Sequence, residues 1–206
     1  MRAGSSDTSR NLSRSIRQPS FRIVGVDDGP LPTRRETGGY AVIVAVLLQG
    51  VLISKVRLGR IEVDGTDANS VLRDLLRNMA YDVAMLSGIS FGGFNLIDID
   101  QLSRGTGKPV IAVIGERPDN VSVRKALRRH FDDWERRWRI VKNAGPLYSF
   151  KPLPNEPKLY YEVRGSSPAY ARRIIASSAI ISRLPEPVRV AGLVAKNLGS
   201  FLDWQN

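Results

Sequence analysis

Cysteine is absent from the chain and histidine occurs once, at His130. Without thiols there can be no disulfide framework, thiolate zinc site, iron–sulfur cluster or cysteine nucleophile. A lone histidine also excludes two-histidine metal motifs and leaves little room for a Ser–His–Asp triad. The ligand chemistry that remains is carboxylate and oxygen, which suits magnesium or manganese. Long apolar runs are missing too: the longest, Ala41 to Ile53, is broken by Gln49 and Gly50, whereas a membrane span needs ~20 residues. The N-terminal stretch has no apolar core of the kind a signal peptide requires. These absences predict a soluble cytoplasmic protein with no membrane partner.

Positive charge is abundant. Twenty-four arginines and seven lysines face 20 acids, a net charge of +11, and such a surplus favours a polyanionic partner, nucleic acid first. With 42% apolar residues in a chain of 206, one domain with a real core is expected. Residues 1–20 are rich in Ser and Arg, with Asp7 the lone acid. They read as a disordered basic tail ahead of a single domain over 21–206.

From Phe21 the pattern is that of a folded domain. Phe21–Val26 reads as a buried strand closed by the turn Asp27-Asp28-Gly29-Pro30. Tyr40–Leu48 and Val51–Leu58 form a hairpin about Gln49-Gly50, the second run continuing through Arg60–Val63. Asp67–Ala80 has helical spacing with Asp67 as a plausible cap. Val83–Leu86 and Pro109–Ile114 read as buried parallel strands, with a helical stretch at Leu96–Ser103 between them. From Asn120 one long helix is predicted, its apolar residues Val123, Leu127, Phe131, Trp134 and Trp138 forming a core stripe. Ile140-Val141 and Leu159–Val163 are candidate late strands, followed by helices from Pro168 to Ile181 and from Pro187 to Leu198. A meander followed by alternating helices and strands gives an α/β fold: a five-stranded mixed sheet with helices on both faces, in ribonuclease H-like order. Periodicity alone also admits other three-layer sandwiches.

In that arrangement the first, third and fourth strands would bring their ends to one edge. Asp27 and Asp64 could converge there with Asp67 as an alternate, and paired carboxylates are what metal-assisted phosphodiester hydrolysis uses. The same acids are also ordinary turn and cap residues. The loop Ser87-Gly88-Ile89-Ser90-Phe91-Gly92-Gly93-Phe94-Asn95 offers backbone donors to a phosphate and two rings to a base. Alternatively its glycines allow close packing while Phe91 and Phe94 enter the core. Asp98 and Asp100 are expected to be exposed. Arg124, Lys125, Arg128 and Arg129 form one cationic helix face, able to contact nucleic-acid phosphates or simply to be solvated. His130 reads as a surface or partly packed residue rather than a catalytic one.

Four ordered segments carry a resemblance: Gly25–Pro30 (GVDDGP), Val63–Asp67 (VDGTD), Gly88–Asn95 (GISFGGFN) and Leu184–Ala191 (LPEPVRVA). Together they resemble the archaeal endonuclease dU family, related to endonuclease V, from about Phe21 to the C-terminus. The resemblance implies a ribonuclease H-like fold and magnesium- or manganese-dependent cleavage of DNA, a repair activity at deaminated bases such as uracil or hypoxanthine. It makes Asp27 and Asp64 the catalytic metal ligands, with Asp67 as the alternate. It also implies an acid where this chain has Ser87 and a histidine where it has Gly192. Those departures point to weakened or lost cleavage and keep a nucleic-acid or protein binding module as the other reading.

Overall fold

The computed structural model of the chain describes residues 21–31 and 39–201; the basic tail expected over residues 1–20 lies outside them. Arg22–Asp28 (β1), Tyr40–Gln49 (β2) and Leu52–Glu62 (β3) form the antiparallel meander. Then come Ala68–Leu76 (α1), Val83–Ser87 (β4), a small hairpin of Ser90–Phe91 (β5) and Asn95–Leu96 (β6), Ile99–Thr106 (α2) and Val110–Ile114 (β7). β4 lies parallel to β1, and β7 parallel to β4.

The sheet has seven strands rather than five. Leu159–Arg164 (β9) pairs antiparallel with β7, and Tyr148–Phe150 (β8) pairs with β9, giving the order β3-β2-β1-β4-β7-β9-β8. The candidate strand at Ile140-Val141 is instead helical. The predicted long helix is two helices, Asn120–His130 (α3) and Trp134–Asn143 (α4). Phe131 takes an extended conformation between them (φ −134°, ψ 128°), and its ring packs edge-on against Phe94 at 5.6 Å. Nor is the stripe a core: of Val123, Leu127, Phe131, Trp134 and Trp138, only Leu127 is fully buried. Asp98 and Asp100 are half-buried rather than exposed, and Asp98 caps α2 by accepting from the Asp100 and Gln101 amides. Pro168–Ser178 (α5) and Glu186–Phe201 (α6) complete the described chain. No helix among the described residues is long and apolar enough to cross a membrane.

Every residue from Ala41 to Leu48 is buried, because the sheet is covered on both faces. One face packs Val24, Val26, Ala84 and Leu86 against Leu72 of α1 and Leu102 of α2. The other packs Ile23, Met85 and Ile111 against Ile174 of α5 and Val188 of α6, with Ala191 and Ala195 of α6 lying on β2. α6 can come this close to β1 because residue 25 is glycine: a Cβ there would overlap the Pro187 carbonyl. Side-chain alternation along β1 therefore sends Asp28 to the α1–α2 face and Asp27 to the α6 face.

Candidate active site

Asp27 leaves the end of β1 towards α6, where Gly192 makes room for it; a Cβ on Gly192 would overlap Asp27 Oδ2. Its Oδ1 accepts from the Asp28 amide at 3.0 Å. The Ser87 hydroxyl, at the end of the neighbouring parallel strand, donates to it, and the Lys196 ammonium acts on it from one turn beyond Gly192. Burial outweighs these favourable contacts and pushes its pKa up from 3.8 to about 6.

Asp28, on the opposite face, accepts from the Gly92 amide at 2.6 Å and ties β1 to the glycine-rich turn. Burial raises its pKa as well. Asp64 belongs to the same turn. It takes a left-handed conformation (φ 58°) that aspartate tolerates, donates its amide to Gly92 O and accepts from the Phe94 amide at 2.8 Å. Gly93 (φ 85°) leaves space for the Asp64 carboxylate. Asp67 stands at the N-cap position of α1 but does not cap it. Its carboxylate accepts from the Glu62 amide and from Asn95 Nδ2, while Asn95 Oδ1 accepts from the Ala68 amide and caps the helix.

The structure thus brings Asp27, Ser87, Gly192 and Lys196 together, and it gives Asp64 and Asp67 separate partners around the glycine-rich turn. Among the described residues no group of three or more His, Cys, Asp or Glu side chains could hold a metal ion. One carboxylate, one hydroxyl and one ammonium do not fit a two-ion magnesium or manganese centre, which needs several carboxylates to offset its cations.

The loop divides in the same way. Phe91 is a fully buried core side chain and Asn95 is fully buried in its hydrogen bonds, so neither is available to a base or phosphate. Ser87, Gly88, Gly93 and Phe94 stay partly open, whereas Gly92 is buried. Arg124, Lys125, Arg128, Arg129 and His130 are all exposed on α3.

Two residues that sequence reasoning passed over are central here. Lys196 could have been found from the four-residue spacing Val188–Gly192–Lys196 on one helix face. Arg137 is hidden in an arginine-rich run, yet it is 6% exposed. It pairs with Asp133 at 2.6 Å and donates to Gly65 O (3.0 Å) and Phe94 O (2.7 Å), bolting α4 to the site loop.

Comparison with known proteins agrees with this architecture. The family model for endonuclease dU matches residues 19–199. A UPF0215 protein of Thermococcus gammatolerans is 37% identical over 86% of this chain and 92% of its own length. A UPF0215 protein of Methanosarcina mazei is 36% identical over 88% and 92%. Among solved structures, a protein of unknown function from Archaeoglobus fulgidus superposes with a TM-score of 0.77 at 29% identity, over 86% of this chain and 98% of that one. Endonuclease V of Ciona intestinalis, solved with a DNA 24-mer containing an inosine, shares the fold at a TM-score of 0.58 and 16% identity, over 96% and 92%. With its family model matched over nearly all of the described residues, the chain belongs to the endonuclease dU family.

Proposed function

We propose that this protein is an endonuclease V-like nuclease of ribonuclease H-like fold that cleaves DNA beside deaminated bases, uracil or hypoxanthine, with Asp27 as its central catalytic group. Asp27 itself carries the proposal: a half-buried carboxylate, without an arginine partner among the described residues and pushed to about 6, is costly to keep and suited to exchanging a proton near neutral pH. In this reading Asp27 takes the proton of the water that attacks the phosphodiester; the water oxygen bonds to phosphorus as the P–O bond to the leaving sugar oxygen breaks, and that oxygen takes a proton from solvent. Ser87 fixes the orientation of the carboxylate, and Lys196 supplies positive charge towards the phosphate. Family membership and the inosine-containing DNA bound by the Ciona relative support the choice of substrate. The divalent ion that the family likeness implies would find, among the described residues, Asp27 as the carboxylate beside Ser87 and Gly192.

A second reading rests on the neighbours of Asp27. Ser87 contributes no charge and Lys196 already partly neutralises the carboxylate, an arrangement that favours binding of nucleic acid without cleavage. One experiment separates the two: incubation with a labelled strand bearing a single deoxyuridine or deoxyinosine, with and without magnesium or manganese. Cleavage by the wild type, lost in Asp27→Asn with affinity retained, establishes the nuclease. Tight binding with an intact strand under every condition establishes the binding module.

A further inference from the structure

The hairpin of α3 and α4 holds a share of charge far above its length. Residues 120–143 contain eight Arg or Lys against three Asp or Glu, a net +5 out of the chain's +11. Among the described residues the one ion pair within it joins Arg137 to Asp133, so the four cations on α3 face solvent without an acidic partner. They do have aromatic neighbours. Trp134 and Trp138, one turn apart on α4, are half-buried. The Arg124 guanidinium stands 6.0 and 5.8 Å from their ring centroids, and that of Arg128 stands 5.2 Å from Trp134. These contacts are loose beside Arg60, which lies on the Tyr40 ring at 3.6 Å. Two grooves of about 580 and 490 Å³ meet here, and both are lined by Arg124 and Trp138.

Cations alone would suit any polyanion. A duplex offers its phosphates to such a surface but keeps its base faces stacked inside, so it has no use for open tryptophan rings. An unpaired strand uses both, phosphates on arginine and bases on indole. We infer that the α3–α4 hairpin grips an unpaired stretch of nucleic acid, with Trp138 and Trp134 stacking on bases and Arg124 and Arg128 holding phosphates. This rests on the nucleic-acid reading above and adds the kind of strand the protein takes. The grip is fixed relative to the Asp28–Asp64 turn, because Arg137 donates from α4 to Phe94 O and Gly65 O.

The test uses the full chain and fluorescence anisotropy with a labelled oligo-dT strand and a duplex of equal length, over a salt series. The single strand is expected to bind more tightly than the duplex. Trp138→Leu should weaken the single strand roughly tenfold, within the range for one lost base stack, and leave the duplex within about twofold. Trp138→Phe should restore most of the loss. Oligo-dT should also quench tryptophan fluorescence in a Trp204→Phe background while the duplex does not, a readout that survives if Trp138→Leu fails to fold. Duplex binding equal to single-strand binding, with no quenching and no effect of Trp138→Leu, overturns the inference and leaves the proposed function standing. Absence of binding to either form at low salt overturns the proposed function as well.

Discussion

Asp27→Asn should make the protein more stable at neutral pH. The carboxyl is raised from 3.8 to about 6, chiefly by burial. Well below pH 4 it is protonated in the folded and unfolded chain alike, so its burial carries no charge penalty. Between about pH 4 and 6 the unfolded chain releases the proton while the folded chain keeps it, and stability falls. Above the folded pKa the penalty is complete, about 3 kcal/mol at 1.36 kcal/mol per tenfold change. Asparagine removes the charge and keeps an acceptor for the Asp28 amide, so about 2–3 kcal/mol should be recovered. For a chain of this size that raises the melting temperature by roughly 4–12 °C at pH 7.5 and by almost nothing at pH 4. Thermal melts of wild type and variant at both pH values measure it. A destabilised variant at pH 7.5, or an equal gain at pH 4 and 7.5, would refute the account of Asp27 as a strained buried charge. A gain in stability together with a loss of cleavage would show that the charge is kept for function.

Glu162, buried on β9 and raised by burial from 4.5 to about 7, has the same sign: Glu162→Gln should add about 3 kcal/mol above pH 7 and nothing below pH 4.5, by denaturant titration. Arg137→Met removes a buried ion-pair partner and leaves two carbonyls unpaired; calorimetry should show a loss of about 3 kcal/mol, and an unchanged melting temperature would mean that α4 is held by other contacts. Replacing Arg124 and Arg128 together by glutamine should flatten the slope of log affinity against log salt by about 1.5. An unchanged slope would leave those arginines as a solvated face.

The meander and the two central parallel strands were legible because long β-branched runs between glycine turns have few alternatives. β9 was legible as a strand at Leu159–Val163, but its place was not, since it joins the far edge of the sheet after a helical hairpin and returns antiparallel; the short β8 beside it carried no signal. The break between α3 and α4 escaped periodicity for a plain reason: the turn at Phe131 keeps the three-and-four spacing of the stripe. Asp132-Asp133 ahead of Trp134 was the available signal, an acidic start to a second helix. Reading Asp27 with Asp64 placed them correctly at strand ends but ignored alternation. On β1, Val24, Val26 and Asp28 share one face and Gly25 and Asp27 the other, so adjacent aspartates serve different sides of the sheet. The glycine-rich turn looked like a phosphate cradle, yet Gly92 gives its amide to Asp28 and Asp64 accepts from Phe94. The donors offered to a ligand were already in use within the fold.

The pairing of acids elsewhere in the molecule sharpens the case for Asp27. Arginine is so plentiful here that structural acids find it readily: Asp82 pairs with Arg22, Asp74 with Arg77, Asp100 with Arg104, Asp133 with Arg137 and Glu186 with Arg189. Among the described residues Asp27 forms no ion pair of this kind, although it is half-buried and α6 passes directly over it. Glycine at position 192 holds the space beside it open, and the basic residue of that helix face comes a full turn later, at Lys196. An arginine at either position would have given Asp27 a close partner and lowered its pKa, at the expense of filling the gap. What α6 leaves instead is a β1 carboxylate chemically available beside a reserve of positive charge, in keeping with the proposed nuclease reading.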